Sequence, residues 1–277
     1  MDRKYKLGLY EKSMPNEYGW DLKFSSARDS GFDYLELSID ESEEKLSRLD
    51  WSNEKIHQLA NIADFESMKI GSICLSGHRK FPLGGDDENI SLEIMKKAIN
   101  FAFEAGIPII QLAGYDVYYQ KSSIETKKRF EKNLHCAVEL AAQAGVILGF
   151  ETMETPFMDT VEKAMLYVKK MKSAYLGVYP DIGNLNNAAI AYKQSVIADL
   201  EKAQGHLVAL HIKETKPGKY REIPFGTGSV DFETILNKAW VLGVRRYVTE
   251  LWYVGNDDWK LKNKEAAVLA RNILDKL

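Results

Sequence analysis

The chain has 277 residues, 45% of them hydrophobic, and 37 basic residues against 40 acidic ones leave a formal charge of −3. This length is typical of one α/β barrel with a large core, and the balanced charge gives no global field that favours nucleic acid. No run approaches the ~20 apolar residues of a membrane-spanning helix, and the N-terminus has no signal-like apolar stretch. Cys74 and Cys136 have no paired spacing. We therefore expect a cytoplasmic protein with neither nucleic acid nor membrane as partner.

Strands and helices alternate through the first half of the chain. Apolar, β-favouring runs predict four strands, at residues 6–10, 32–38, 70–75 and 107–113. Helical periodicity predicts helices between them, at residues 20–28, 53–68 and 91–105. In the second strand, alternation places Tyr34 and Glu36 on one face and Leu35 and Leu37 on the other.

A loop rich in glycine and basic residues follows the third predicted strand. It holds His78, Arg79 and Lys80 among three glycines. Such a loop can offer backbone N–H groups and positive charge to a phosphate or a carboxylate. A solvated basic turn explains the same composition, so both interpretations stay open.

The alternation continues through the second half. Four more strands are predicted, at residues 146–151, 175–181, 207–215 and 246–252. Five helices are predicted, at residues 122–144, 160–172, 188–203, 231–242 and 260–277. A capping-box pattern at residues 122–125 opens the first of these helices, Gly145 ends it, and Asp159 can cap the next. The polar loop at 213–229 is too long for a bare connector, which favours a functional role.

About eight strands in alternation with helices predict a single (β/α)₈ TIM barrel, an α/β fold. No low-complexity linker divides the chain, so we assign residues 1–277 to one catalytic domain. The carboxyl ends of all strands meet at one rim of such a barrel, where catalytic groups of this fold are found.

Four of the predicted strands end at a residue that can bind metal: Glu151, Asp181, His211 and Glu250. One nitrogen and several oxygen donors suit Mn²⁺, Zn²⁺, Mg²⁺ or Co²⁺ without choosing among them. Any one carboxylate alone is better explained by a salt bridge or a helix cap. Four coincident strand ends favour a cation, because buried carboxylates repel one another without one.

Several motifs make the sequence similar to the L-xylulose-5-phosphate 3-epimerase family, also called L-ribulose-5-phosphate 3-epimerases. They are CLSGHR at 74–79, FETMETPF at 150–157, YPDIGN at 179–184, HIKET at 211–215, PFGTGSVDF at 224–232 and TELW at 249–252. The similarity spans essentially the whole chain. It implies a xylose-isomerase-like barrel that serves L-ascorbate and related pentose breakdown.

The resemblance also implies the chemistry of the site. Glu151, Asp181, His211 and Glu250 match the family's ligands for one divalent metal ion, with Zn²⁺ or Mn²⁺ ranked first and Mg²⁺ or Co²⁺ as alternatives. The substrate would be a ketopentose phosphate, and L-xylulose 5-phosphate and L-ribulose 5-phosphate would interconvert through a cis-enediolate. Glu151 and Glu250 would remove and return the C3 proton on opposite faces of the sugar.

Substrate contacts follow less directly from the resemblance. Ketose 3-epimerases that act on non-phosphorylated sugars usually have a histidine where this chain has Asn184, and Arg221 matches their substrate-fixing arginine with a shifted loop. Lys213, His78 and Arg79 are candidates for the phosphate. None of these candidates ranks above the others on motif alone.

Other functions stay open. A related isomerase or epimerase acting on a non-phosphorylated ketose would keep the metal, and a catalytically inactive binding barrel would have no reason to keep all four ligands. Apurinic (AP) endonuclease-like DNA repair enzymes share the barrel but use several histidines, whereas His57, His135 and His206 fall in predicted helices or at a strand start. The oligomeric state is open, with a homodimer common among relatives.

Overall fold

A computed structural model describes residues 3–277. The strands are β1 (Lys6–Tyr10), β2 (Tyr34–Ile39), β3 (Ile70–Leu75), β4 (Ile109–Ala113), β5 (Ile147–Glu151), β6 (Leu176–Val178), β7 (Leu210–Ile212) and β8 (Arg246–Thr249). The helices are α1 (Trp20–Asp29), α2 (Glu43–Leu46), α3 (Asn53–Phe65), α4 (Glu88–Glu104), α5 (Ile124–Ala144), α6 (Val161–Met171), α7 (Ile182–Tyr192), α8 (Val196–Glu201), α9 (Phe232–Val241) and α10 (Trp259–Leu274). Short 3₁₀ helices cover Glu11–Ser13, Ser47–Asp50 and Ser76–Arg79. Within residues 3–277, no helix has the length and apolar character needed to cross a membrane.

The strands form one parallel sheet in the order β6-β5-β4-β3-β2-β1-β8-β7. The two ends of this sheet meet, because Val178 bridges Leu207 and Asp181 bridges His211, both in parallel. The N–H of His211 donates to the carbonyl of Pro180 at 2.9 Å across the same contact. The predicted (β/α)₈ barrel is therefore confirmed, and it closes at what we call the β6–β7 seam, residues 176–181 against 206–211.

Alternation along the strands separates two apolar regions. Leu35 and Leu37 point outward into the large core between barrel and helices. Tyr34 belongs instead to a smaller cluster with Tyr10 and Tyr179, which fills the inside of the barrel. Because successive side chains of a strand point to opposite faces, Glu36 also points inward, on the face that it shares with Tyr34 as predicted.

The helix expected at 188–203 is wrong in its bounds and its continuity. Helix α7 begins at Ile182, directly after Asp181, whose side chain accepts the N–H of Asn184 at 2.7 Å. Helix α7 ends at Tyr192, its C-cap Lys193 has a left-handed φ of 54°, and Ser195 caps a separate helix α8. Gly183 and Asn184 disfavour a helix in isolation, and the cap at Asp181 overrides that preference.

Two predicted caps shift by one residue. The capping box of α5 is present, but it is formed by Ser123 and Thr126 rather than beginning at Ser122, and Gly145 ends the helix as expected. Thr160, not Asp159, caps α6 by accepting the N–H of Lys163. Asp159 instead binds the Lys163 ammonium group at 2.6 Å. The short helix α2 and the 3₁₀ helix at Ser47–Asp50 lacked a periodic signal because each is about one turn long.

Candidate active site

The four predicted metal ligands come together at the carboxyl end of the barrel. Glu151 ends β5, Asp181 follows β6, His211 lies in β7 and Glu250 follows β8. One donor atom from each lies within 4.8 Å of the others, and all four side chains are buried. These residues lie far apart in the sequence, and it is the arrangement of the parallel strands that brings them together.

His211 presents its two ring nitrogens to different partners. Nδ1 lies 3.4 Å from Glu151 Oε1 and 3.2 Å from Glu250 Oε2, facing the ligand cluster. Nε2 lies 2.6 Å from Glu36 Oε1, on the opposite side of the ring. Burial lowers the pKa of His211, but Glu36, Glu151 and Glu250 together raise it well above its usual range. The surrounding carboxylates therefore strongly favour positive charge at this position.

Lys213 lies at the same cluster. Its ammonium nitrogen is 2.7 Å from Asp181 Oδ2 and 3.5 Å from Glu250 Oε2, and the side chain is buried. The other oxygen of Asp181 accepts the N–H of Asn184, whose side-chain amide donates to the carbonyl of Thr152 at 2.7 Å. Lys213 and Asn184 thus both act on Asp181 and fix its carboxylate in place.

This donor set fits a divalent cation. Asp181 Oδ2, His211 Nδ1 and Glu250 Oε2 are buried, and within the described part of the chain they contact one another, Glu151 and Lys213 at ion-pair distances but without hydrogen-bond geometry. Burial raises the pKa of Asp181 to about 7, with the charge of Lys213 opposing this and that of Glu250 adding to it. Because Lys213 and a charged His211 together do not neutralise the carboxylates of Glu36, Glu151, Asp181 and Glu250, a bound cation would relieve their repulsion.

A polar cavity leads from the two glutamates to the protein surface. Its walls include side chains from the segments that follow six of the strands, among them Lys12, Ser76, Arg79, Asn184, Arg221 and Trp252. Four cations therefore face a space that ends at the carboxylate cluster, namely Lys12, Arg79, Lys213 and Arg221. An anionic substrate would be attracted into it.

Two arginines at the mouth of this cavity are each paired with a glutamate. Arg221 lies 3.4 Å from Glu154, which also accepts the hydroxyl of Tyr118 at 2.9 Å. Arg79 lies 3.8 Å from Glu41 and sits over the ring of Tyr118, 4.7 Å from its centroid. A bound anion could replace the glutamate in each ion pair, because both guanidinium groups line the cavity.

His78 points elsewhere. Its side chain is buried, and Nε2 lies 3.1 Å from the backbone carbonyl of Ser91 in α4. Burial lowers the pKa of His78 to about 4, so the imidazole is neutral near neutral pH. The geometry therefore gives no support to the predicted phosphate contact through His78.

The loop between β7 and α9 is fixed by a buried carboxylate. Glu214 accepts the N–H groups of Gly226 at 3.0 Å and Val230 at 3.2 Å, so it joins the two ends of the loop that carries Arg221. A Cβ atom at Gly228 would overlap the Glu214 carboxylate, so only glycine fits there. This long loop is ordered by specific contacts and borders the cavity.

Sequence reasoning missed three supporting residues. Glu36 binds His211, Gln111 donates from Nε2 to Glu151 Oε2, and Lys12 lines the cavity and pairs with Asp40. The alternation in β2 had placed Glu36 on the same face as Tyr34, and a carboxylate within an apolar strand is a signal because burial without a partner is costly. For Gln111 and Lys12 no comparable signal exists in the sequence.

Comparison with known proteins places the chain among sugar-modifying barrels. Residues 24–267 match the family model described as "xylose isomerase-like TIM barrel". The chain is 43% identical over 256 residues to L-ribulose-5-phosphate 3-epimerase UlaE of Escherichia coli O139:H28 (strain E24377A / ETEC), which covers 91% of this chain and 89% of that protein. The same identity and coverage hold for the protein of that name from Shigella sonnei (strain Ss046).

Solved structures share the fold at much lower identity. D-psicose 3-epimerase from Clostridium cellulolyticum H10, solved with D-tagatose, has a TM-score of 0.81 at 16% identity and covers 97% of this chain and 99% of its own. An L-ribulose 3-epimerase has a TM-score of 0.72, also at 16% identity, covering 98% of this chain and 94% of its own. At this identity the likeness establishes the architecture.

Proposed function

Because the chain belongs to the L-ribulose-5-phosphate 3-epimerase family of xylose isomerase-like TIM barrels, we propose that it epimerises a ketopentose 5-phosphate at C3. It is an enzyme of the isomerase class, as its relatives are named epimerases. The proposed reaction interconverts L-xylulose 5-phosphate and L-ribulose 5-phosphate in L-ascorbate and pentose breakdown, in the cytoplasm.

The observation that carries this proposal is the pair of buried glutamates that both approach Nδ1 of His211. Glu151 comes from β5 and Glu250 follows β8, and each places an oxygen within 3.4 Å of the same ring nitrogen. Inverting a carbon centre by proton exchange needs a base on one face and an acid on the other. Glu151 and Glu250 approach His211 from different strands, and their carboxylates supply this acid and base.

We assign Glu151, Asp181, His211 and Glu250 as the residues that would hold a divalent cation, with Zn²⁺ or Mn²⁺ ranked first. When bound there, such a cation would supply Lewis-acid stabilisation of the negative charge that develops on the sugar oxygens at C2 and C3. The donor set supports this assignment, since three of its atoms are buried and, among residues 3–277, have ion-pair contacts but no partner with hydrogen-bond geometry.

The proton transfers are assigned to the two glutamates. In one direction a carboxylate oxygen of Glu151 takes the proton from C3, and the protonated Glu250 returns one to the opposite face; in the other direction the roles exchange. Gln111 donates to Glu151 and Lys213 lies 3.5 Å from Glu250, so each glutamate has a partner that holds its orientation.

The phosphate is assigned to the cationic mouth of the cavity. Arg79, Arg221 and Lys12 line the cavity. Each of the two arginines forms an ion pair with a glutamate at the rim. Lys213 was a phosphate candidate from the sequence, but its contacts with Asp181 and Glu250 favour a role beside the ligand cluster. Asn184 is a neutral residue of the cavity wall. Its backbone N–H donates to Asp181 and its side-chain amide donates to the carbonyl of Thr152.

The test is isotope exchange at the reacting carbon. Purified enzyme incubated with L-ribulose 5-phosphate in deuterated water should incorporate deuterium at C3 and form L-xylulose 5-phosphate, and a chelator should stop both. Glu151→Gln and Glu250→Gln should each lower turnover by about 10²–10⁴-fold, because each removes one acid–base group. Product analysis by NMR separates exchange from inversion.

Two results would contradict the proposal. Label at C1 would indicate an aldose–ketose isomerase, and faster turnover of free L-ribulose than of its 5-phosphate would indicate a non-phosphorylated substrate. Equal rates with and without chelator would remove the cation from the proposal while leaving the carboxylate pair in place.

A further inference from the structure

A fourth carboxylate lies behind His211 in the interior of the barrel. Glu36 of β2 is fully buried, and its Oε1 lies 2.6 Å from His211 Nε2. Its Oε2 accepts the hydroxyls of Ser72 at 2.6 Å and Tyr179 at 2.9 Å. Both oxygens of Glu36 are therefore engaged, and the two hydroxyls turn Oε1 toward the imidazole.

The hydrogen bond from His211 has a chemical consequence. A neutral imidazole carries one N–H, and a carboxylate accepting from one ring nitrogen keeps the proton there. With the proton on Nε2, the lone pair of His211 is on Nδ1, which faces Glu151 and Glu250. We propose that Glu36 is a positioning residue, which fixes the tautomer and ring orientation of His211 so that Nδ1 can bind the cation.

The packing around the imidazole supports an orienting role. The ring of Tyr179 meets that of His211 edge-on, with centroids 4.8 Å apart and planes at 67°. Turning the imidazole over would therefore break its bond to Glu36 and leave a buried carboxylate without that partner, which is costly. Tyr179 thus acts twice, through its ring on His211 and through its hydroxyl on Glu36.

Simple filling of the barrel would not require these groups. An apolar side chain would occupy the position of Glu36 without the cost of burying a carboxylate, and Tyr10 and Val248 beside it show that the interior accepts apolar groups. Partners that orient a ligating histidine typically change metal affinity by about 10–100-fold when they are removed. This inference rests on the proposed function, because it assumes that His211 is a ligand.

The first test is metal affinity. Apoprotein of wild type, Glu36→Gln and Tyr179→Phe is titrated with Zn²⁺, and separately with Co²⁺, in competition with a chromogenic chelator. We expect affinity to fall by about 10–100-fold in Glu36→Gln and by less in Tyr179→Phe, which keeps the carboxylate. Glu11→Gln is the matched control, since it removes a buried carboxylate outside the ligand cluster and should bind both ions like wild type.

The second test observes the proton itself. In the zinc-loaded protein with ¹⁵N-labelled histidine, His211 should show an exchange-protected Nε2–H resonance at low field, assigned by its loss in His211→Gln. In Glu36→Gln this resonance should move upfield, because an amide oxygen is a weaker acceptor than a carboxylate. If Glu36→Gln does not fold, Ser72→Ala and Tyr179→Phe carry the same comparison.

The outcomes separate this inference from the proposed function. Wild-type protein that binds neither ion would overturn this inference together with the proposed cation site, while deuterium exchange at C3 tests the epimerisation by itself. Wild-type binding with unchanged affinity in Glu36→Gln, or a His211 proton found on Nδ1 in the loaded protein, would overturn only the role of Glu36.

Discussion

Glu11 is a single buried residue that holds three cations. Its carboxylate is fully buried, and it lies 2.9 Å from Lys23, 3.3 Å from Lys45 and 2.7 Å from Arg48. Burial alone would raise the pKa of Glu11, but Arg48 and then Lys45 and Lys23 lower it well below its ordinary value of 4.5. This one side chain therefore links the segment after β1 to α1, α2 and the 3₁₀ helix that follows.

Replacing Glu11 with glutamine should destabilise the protein by about 3–5 kcal/mol near neutral pH, because it leaves buried cations without their partner. The folded pKa is below the unfolded one, so the contribution of Glu11 is fully present above about pH 4.5 and is lost as the pH falls below that value. Denaturant unfolding measured from neutral to acid pH should therefore show the two proteins converging. A constant difference across that range would contradict this account.

Arg221 is proposed to bind the phosphate group of the substrate. Changing it to alanine should raise KM for L-ribulose 5-phosphate by about tenfold or more, since charge-assisted hydrogen bonds contribute ~1.5–3 kcal/mol. The free ketose should be affected far less. Arg28→Ala is the control, because Arg28 is an exposed residue on α1 paired with Glu66. Equal loss with both sugars would assign Arg221 to loop structure instead.

The residues that were predictable from the sequence are those at strand ends. Each of the four predicted ligands closes an apolar run, and a barrel forces such ends onto one rim. Glu36 was not predictable as the partner of His211, because 175 positions separate them and only the barrel interior brings β2 opposite β7. The direction of the His78 ring was unpredictable for a similar reason, since it is set by a contact with Ser91 of α4.

At the scale of elements, the loop between β7 and α9 depends on Glu214. In Glu214→Gln, the acceptor for the N–H groups of Gly226 and Val230 loses its charge, so the loop should loosen while the barrel stays folded. We expect limited proteolysis to cut within residues 216–229 faster than in wild type, together with a higher KM for the sugar phosphate. Unchanged cleavage and KM would show that other contacts, such as Asn187 with Gly218, are sufficient.

The strands were easier to predict than the helices that follow them. A strand of this barrel is a short apolar run, and burial on both sides makes that signal independent of its neighbours. Helix α7 is different, because its first turn, Ile182 to Leu185, contains Gly183 and Asn184 and is fixed by a cap from Asp181. Its existence depends on a contact that the site itself provides, and intrinsic propensity does not contain that information.

At the scale of the whole molecule, the proposed cation should stabilise the fold. Binding only to the folded state adds about 2.7 kcal/mol when the free ion is at ~100 times its Kd, and this corresponds to roughly 5 °C or more in melting temperature. Calorimetry of apoprotein with and without added Zn²⁺ or Mn²⁺ measures this shift. The variant Asp181→Asn should show a smaller shift, and a wild-type melting temperature indifferent to both ions and to chelator would contradict the assignment.

The assignment of residues 1–277 to one domain and the homodimer common among relatives both stay predictions. The first is checked by a single cooperative unfolding transition, since separate units would unfold in steps. The second is checked by light scattering. Neither property has a local signal in the chain, because both depend on surfaces rather than on strand or helix patterns.

The strand pairing of the barrel is weakest at the β6–β7 seam, which isolated bridges close. Both strands have only three residues, and the Asp181–His211 bridge that closes the ring joins two of the proposed ligands. A cation held by both would hold β6 and β7 together across this seam. Local opening should therefore begin here in apoprotein, with the amides of Val178 and His211 losing hydrogen-exchange protection before those of β3 and β4, and metal should restore it.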